Sequence, residues 1–174
     1  MKKPTLKLAW QITYAHMIAY FLAGLFALLA VNYRDLYATA SLSLLMRPID
    51  DPVVALGPAL QVARGLVLAL AIIPLRRAFF EDDRGYLKLG LAVLAFSLLS
   101  TIGPTPGSLD GYIYTTIPAG YQLLGYPEAL LYTALFVGIL KLAHKFDGKK
   151  LVLVLPILLV CLILLMSAAG YFMA

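Results

Sequence analysis

The chain has 174 residues, of which 62% are hydrophobic and 13% charged, and its net charge is +5 at pH 7. Soluble domains carry about 25% charged residues, and so short a chain cannot bury this much apolar surface in its own core. The composition excludes an ordinary soluble domain and predicts a single all-α integral membrane domain over residues 1–174. In such a protein, an excess of lysine and arginine indicates which loops are cytoplasmic, and it does not imply a nucleic-acid partner.

The first predicted span covers residues 12–32 and follows a basic N-terminus. This apolar run is long enough to cross a hydrocarbon core of about 30 Å, whereas the apolar region of a signal peptide has about 7–15 residues. We therefore expect an anchor rather than a cleaved leader. A ridge of small residues, Ala19, Ala23 and Ala27, predicts close packing against another span or another subunit.

Four further apolar stretches predict spans over residues 53–75, 86–102, 126–143 and 151–173. Asp50 and Asp51 stand immediately before the first of them, followed by a proline. Acidic residues and proline are favoured at the start of a helix, and neighbouring side chains on a helix diverge. We therefore expect these two acids to cap the helix rather than to bind a metal.

Lysine and arginine lie on alternate sides of the five predicted spans. Basic residues collect in cytoplasmic loops, so this alternation predicts a cytoplasmic N-terminus and an outside C-terminus, as in a prokaryotic cytoplasmic membrane. The outer side has only Arg34 and Arg47, and the inner side has the other loop residues: Lys2, Lys3, Lys7, Arg76, Arg77, Arg84, Lys88, Lys141, Lys145, Lys149 and Lys150.

The outer segment 103–125 is rich in glycine, proline and tyrosine and contains no lysine or arginine. Tyrosine favours membrane interfaces, where its apolar ring and polar hydroxyl meet different surroundings. We expect a structured cap over the outer face. An ordinary interfacial loop and a segment that dips into the membrane both remain open, the latter only if protein or water covers its backbone.

Arg64 lies near the middle of the second predicted span and belongs to no loop. Charged residues at this depth usually face the bundle interior or a water-filled cavity. Helical spacing places Gly57 and Gln61 on the same face, which predicts a polar stripe that opens towards the outer side. The alternative is a structural arginine that pairs with a carboxylate and locks two helices together.

Acidic residues on the predicted outer side supply partners for Arg64. Glu128 lies one turn into the fourth span, with Tyr132 on the same face, so we expect an Arg64–Glu128 contact beneath the cap. Asp110 lies in the cap segment itself. The candidate binding residues are Arg64, Gln61, Glu128, Asp110, Tyr132 and Asp51.

Signatures of catalysis and of cofactor binding are missing from the sequence. There is no HExxH, GxSxG or phosphate-binding lysine loop. The single Cys161 allows neither an intrachain disulfide nor a cysteine-based metal site. His16 and His144, placed near the cytoplasmic side, are a weak basis for haem ligation. We predict no catalytic residues, no metal and no cofactor, and we do not expect an enzyme.

These patterns predict a small-solute or ion transporter, or a channel component, with an outward-facing polar pocket around Arg64. Such a pocket would suit an anionic small molecule or an anionic lipid headgroup. The expected partners are the lipid bilayer and either further copies of the chain or a membrane complex. One alternative is an accessory or structural subunit of such a complex, and a third is a lipid-modifying enzyme using Asp110, Glu128 and Arg64.

Overall fold

The computed structural model describes residues 5–99 and 106–173, and these residues form helices and turns without a β-strand. A 3₁₀ turn over Ile73–Leu75 joins two of the helices. The α-helices of the described residues are α1 (Thr5–Ala30), α2 (Tyr33–Tyr37), α3 (Pro52–Ala55), α4 (Gly57–Ile72), α5 (Arg76–Phe80), α6 (Gly85–Leu99), α7 (Leu109–Tyr114), α8 (Ala119–Leu123), α9 (Tyr126–Lys145) and α10 (Lys150–Phe172).

Four helical stretches are long and apolar enough to cross a membrane. Their large side chains cover much of the surface, as at Leu70, Leu158 and Leu165, which are 74%, 60% and 68% exposed. Water would solvate so much apolar surface poorly, and lipid would cover it. The all-α class is confirmed, and an integral membrane protein is indicated. The four stretches are Thr5–Ala30, Gly57–Phe80, Ala119–Lys145 and Lys150–Phe172.

The predicted third span, residues 86–102, corresponds to α6 in part. The described helix has 15 residues and therefore extends over about 22 Å, which is less than a hydrocarbon core of about 30 Å. Residues 100–102 of that prediction lie outside the described residues. The same holds for Lys2 and Lys3 of the charge count and for residues 103–105 of the outer segment.

Helix α1 is the central helix, and α4, α9 and α10 pack around it. The small-residue ridge of Ala19, Ala23 and Ala27 is buried inside the chain rather than left for another subunit. The helix begins at Thr5, seven residues before the predicted span, because residues 5–11 favour helix formation. His16 therefore lies near the middle of α1.

Prolines divide the second predicted span into short pieces. Proline has no backbone N–H to donate and its ring crowds the preceding turn. Pro58 lies where α3 gives way to α4, and Pro74 lies in the 3₁₀ turn between α4 and α5. By contrast, Pro156 is accommodated within α10, which continues from Lys150 to Phe172.

Side-chain contacts sort the helix ends into two groups, which we name the Lys7 end and the Glu128 end. At the Lys7 end, Lys7 lies 2.5 Å from Asp147, in the turn between α9 and α10. The start of α6 joins this group, because the Tyr86 hydroxyl lies 2.5 Å from Nδ1 of His144 on α9.

At the Glu128 end, the hydroxyl of Tyr33 donates to Glu128 at the start of α9. The hydroxyl of Ser167, near the end of α10, donates to the carbonyl of Ala55, just before α4. Successive long helices, with α6 counted among them, therefore run between the two ends in alternating directions.

Candidate functional site

A cavity of about 330 Å³ opens at the Glu128 end of the bundle. Its wall combines charged side chains with an unusual number of tyrosines. Helices α1, α4 and α9 contribute most of the ionisable groups, and the segments 33–46 and 106–125 close the sides. The polar lining residues are His16, Tyr20, Tyr33, Tyr37, Arg64, Ser97, Tyr121, Gln122, Glu128 and Tyr132.

His16 forms the buried end of a hydrogen-bond chain across α1, α4 and α9. Its Nε2 lies 3.0 Å from Oε1 of Gln61, and its Nδ1 lies 2.7 Å from the hydroxyl of Tyr132. The Gln61 amide nitrogen donates to the carbonyl of Gly57 at 2.9 Å, so Oε1 is left as the acceptor. Nε2 of a neutral His16 must therefore carry the proton, and Nδ1 accepts the O–H of Tyr132.

This chain joins Tyr132, which lines the cavity, to Gln61, which lies behind His16 and does not. Both side chains are held by His16, which is only 1% exposed and occupies the centre of the protein. Tyr132 also reaches the cavity, so its hydroxyl oxygen links the buried histidine to the cavity contents. An ionisable group inside a membrane helix is by default a functional candidate. That rule could have identified His16 from the sequence.

Glu128 receives its hydrogen bond from outside the long helices. The hydroxyl of Tyr33 donates to Oε2 of Glu128, and the rings of Tyr33 and Tyr37 stack with their centroids 5.1 Å apart. Burial, followed by the bond to Glu128, raises the pKa of Tyr33 above its usual range. Burial and the nearby Glu128 charge raise the pKa of Tyr37 to about 12. Helix α2 therefore presents neutral tyrosines to the carboxylate.

Arg64 lies on the wall of the same cavity and remains accessible from it. Among residues 5–99 and 106–173, no hydrogen bond or ion pair involves its guanidinium. The expected direct contact with Glu128 is therefore not formed among these residues, and Oε2 of that carboxylate accepts from Tyr33 instead. The two groups share a cavity without neutralising each other.

Gln122 organises the described part of the predicted cap. Its amide nitrogen donates to the carbonyls of Gly111 at 3.0 Å and Ile117 at 3.1 Å, while its oxygen accepts from Gly107. Because this amide is buried, these bonds tie α7 and α8 into one folded unit. Pro106 and Gln122 reach the cavity, so the segment forms part of its wall.

Three predicted binding residues do not line the cavity: Gln61, which only contacts the lining residue His16, and Asp51 and Asp110. Asp51 caps α3, since its carboxylate accepts from the backbone nitrogen of Val53 at 2.8 Å, as the sequence suggested. The guanidinium of Arg47, at 2.8 Å, and this capping bond hold the pKa of Asp51 below its usual range. Asp110 lies in the first turn of α7 and does not line this cavity.

The two histidines do not share a site. His16 bonds Tyr132 and His144 lies twelve residues further along α9, so the two are separated by about 18 Å along that helix. Within the described part of the chain, no group of three histidine, cysteine, aspartate or glutamate side chains could hold a metal ion.

Comparison of the chain with protein-family models, with curated proteins and with solved structures gives no match. Within residues 5–99 and 106–173, the all-helical fold and its four apolar helices of spanning length indicate the class of integral membrane proteins.

Proposed function

We propose that the chain is a transporter of a small polar solute, or the solute-binding component of a channel, and that the cavity around Arg64 is its binding site. The observation that carries this proposal is the convergence of Arg64, Glu128 and His16 on one open cavity. Charged groups are expensive inside a membrane and mark ligand or ion pathways there. A volume of about 330 Å³ is at the lower limit for ligand pockets, so the solute is small.

The proposed topology has five spans, with α6 as the third, the N-terminus inside and the C-terminus outside a prokaryotic cytoplasmic membrane. Its support is the alternation of the long helices between the Lys7 end and the Glu128 end, which matches the alternation of basic residues in the sequence. In this topology the cavity faces outwards and residues 106–125 form part of its cap. We further propose that the chain works as a homo-oligomer.

The other two functions have weaker support. An accessory subunit would use small-residue ridges to pack against its partners, but Ala19, Ala23 and Ala27 are already covered within the chain. A lipid-modifying enzyme would need Asp110 beside Arg64 and Glu128, yet only the latter two line the cavity.

The test is solute binding and uptake by the full chain reconstituted in liposomes, measured over a panel of small anions, cations and neutral solutes. Arg64→Leu should abolish uptake of the active solute while the protein remains folded. Arg84→Leu, an exposed arginine in the turn before α6, is the matched control and should leave uptake unchanged. Unchanged uptake in Arg64→Leu would exclude the pocket, and a stoichiometric partner found on purification would favour the accessory subunit.

A further inference from the structure

Arg64 and Glu128 line one cavity and form no ion pair within residues 5–99 and 106–173, and from this arrangement we infer that the ligand is a zwitterion, with its cationic group at Glu128 and its anionic group at Arg64. This inference rests on the proposed function and names the ligand class of the same site.

The part of the site that would bind the ligand's cationic group is a carboxylate surrounded by tyrosine rings. Glu128 lies in the first turn of α9, where the helix dipole favours a negative charge. Tyr33 fixes one of its oxygens, and Tyr20, Tyr33 and Tyr37 line the cavity around it. An ammonium group between a carboxylate and aromatic rings gains ion-pair and cation–π attraction together.

The part of the site that would bind the ligand's anionic group is the guanidinium of Arg64. It has five N–H donors in a planar fork, which fits a carboxylate or phosphate group with two parallel hydrogen bonds. Within the described residues none of these donors is occupied by a side chain, and the cavity gives a ligand access to them. An arginine without a carboxylate partner in a membrane helix needs such a counter-ion or water.

A ligand with one charge would leave half of this site unsatisfied. A simple anion at Arg64 would be repelled by Glu128, and a simple cation at Glu128 would be repelled by Arg64. Arg64 and Glu128 line the same cavity of about 330 Å³, so a single small molecule held there can contact both groups. A zwitterion pairs with both groups and enters the cavity with no net charge.

Two sources could supply this chemistry. One is a free amino acid or a related solute, and the other is the headgroup of a zwitterionic lipid such as phosphatidylethanolamine. Both join an ammonium group to an anionic group through a short chain, and a cavity of about 330 Å³ suits either.

The experiment uses the full chain in nanodiscs of phosphatidylglycerol, which contain no zwitterionic lipid. Binding is measured for the ω-amino acids from glycine to 6-aminohexanoate, each compared with the carboxylate and the amine of equal length. We expect one amino acid to bind at least about tenfold more tightly than either of its singly charged analogues, as for a close charge pair at a binding site. This comparison needs no variant, so it does not depend on the folding of a mutant.

Two substitutions then test which protein side chain binds which charged group of the ligand. In Glu128→Gln, the amino acid should bind no more tightly than the carboxylate of equal length. In Arg64→Gln, it should bind no more tightly than the amine. Glu81→Gln and Arg84→Gln, exposed at the Lys7 end, are the matched controls and should leave the tighter binding of the amino acid intact in both comparisons. Addition of phosphatidylethanolamine should weaken amino-acid binding if a headgroup is the natural occupant and leave it unchanged if a free solute is.

Carboxylates that bind as tightly as their amino acids and depend on Arg64 alone would overturn the zwitterion assignment and leave the proposed function standing. Amino-acid binding that survives both Arg64→Gln and Glu128→Gln would overturn both proposals.

Discussion

The packing of α1 against α4 predicts that Gly65→Ala destabilises the protein and disturbs the site. A Cβ atom on Gly65 would lie 2.9 Å from Cα and 3.0 Å from Cγ2 of Thr13. Carbon atoms pack at about 3.5–4.0 Å, so the helices would have to separate by roughly 0.6 Å or more. Overpacking of this kind costs about 1–3 kcal/mol. The shift also stretches the bond from His16 to Gln61, which joins the same two helices at 3.0 Å.

The matched control is Gly138→Ala, on α9, because a Cβ atom there meets nothing within 4 Å. Both variants gain the same helix propensity, so the difference between them isolates the clash. The free energy of unfolding, measured by titration with sodium dodecyl sulfate in mixed micelles, should be about 1–3 kcal/mol lower for Gly65→Ala than for Gly138→Ala. Equal unfolding free energies would refute the close approach of α1 and α4.

Three further predictions concern the site and its surroundings. Tyr132→Phe removes the O–H donor to His16 and should lower the unfolding free energy by about 1 kcal/mol; an unchanged value would mean that the bond is absent in the membrane. Asp110→Asn should leave solute affinity unchanged in a binding titration, because this side chain does not line the cavity, and a large loss would contradict that placement. The raised pKa of Tyr37, about 12, means that the folded state favours its neutral form, so its contribution to stability is complete below pH 10 and lost between pH 10 and 12. Tyr37→Phe should reduce the loss of stability over that interval in unfolding titrations, and an identical pH dependence would contradict the burial of this ring.

Much of the helical framework could be predicted because apolar runs of spanning length leave few structural choices. The runs 126–143 and 151–173 correspond closely to α9 and α10. The start of α1 could not be predicted in the same way, since the helix extends through the polar residues before the apolar run. That difference of about two turns places His16 near the middle of the helix rather than near its start.

The composition of the site depends on contacts between distant parts of the chain. Arg64, Glu128 and Tyr132, which line the cavity, stand out in the sequence because ionisable and polar residues are rare in apolar helices. The Tyr33–Glu128 bond does not, because it depends on the path of the chain after α1, which no periodic pattern specifies. For the same reason, the sequence could not show that Arg64 and Glu128 share a cavity without forming an ion pair.

The central claim is that a cavity open to the outer face receives a small polar solute. Ala129 lines this cavity, so Ala129→Cys in a Cys161→Ser background reports its accessibility. A membrane-impermeant thiol reagent added outside intact cells should modify Ala129→Cys, and the bound solute should slow that reaction, whereas Lys145→Cys at the Lys7 end should react only from inside. Modification of Ala129→Cys only from inside, or at a rate that no solute changes, would contradict the account.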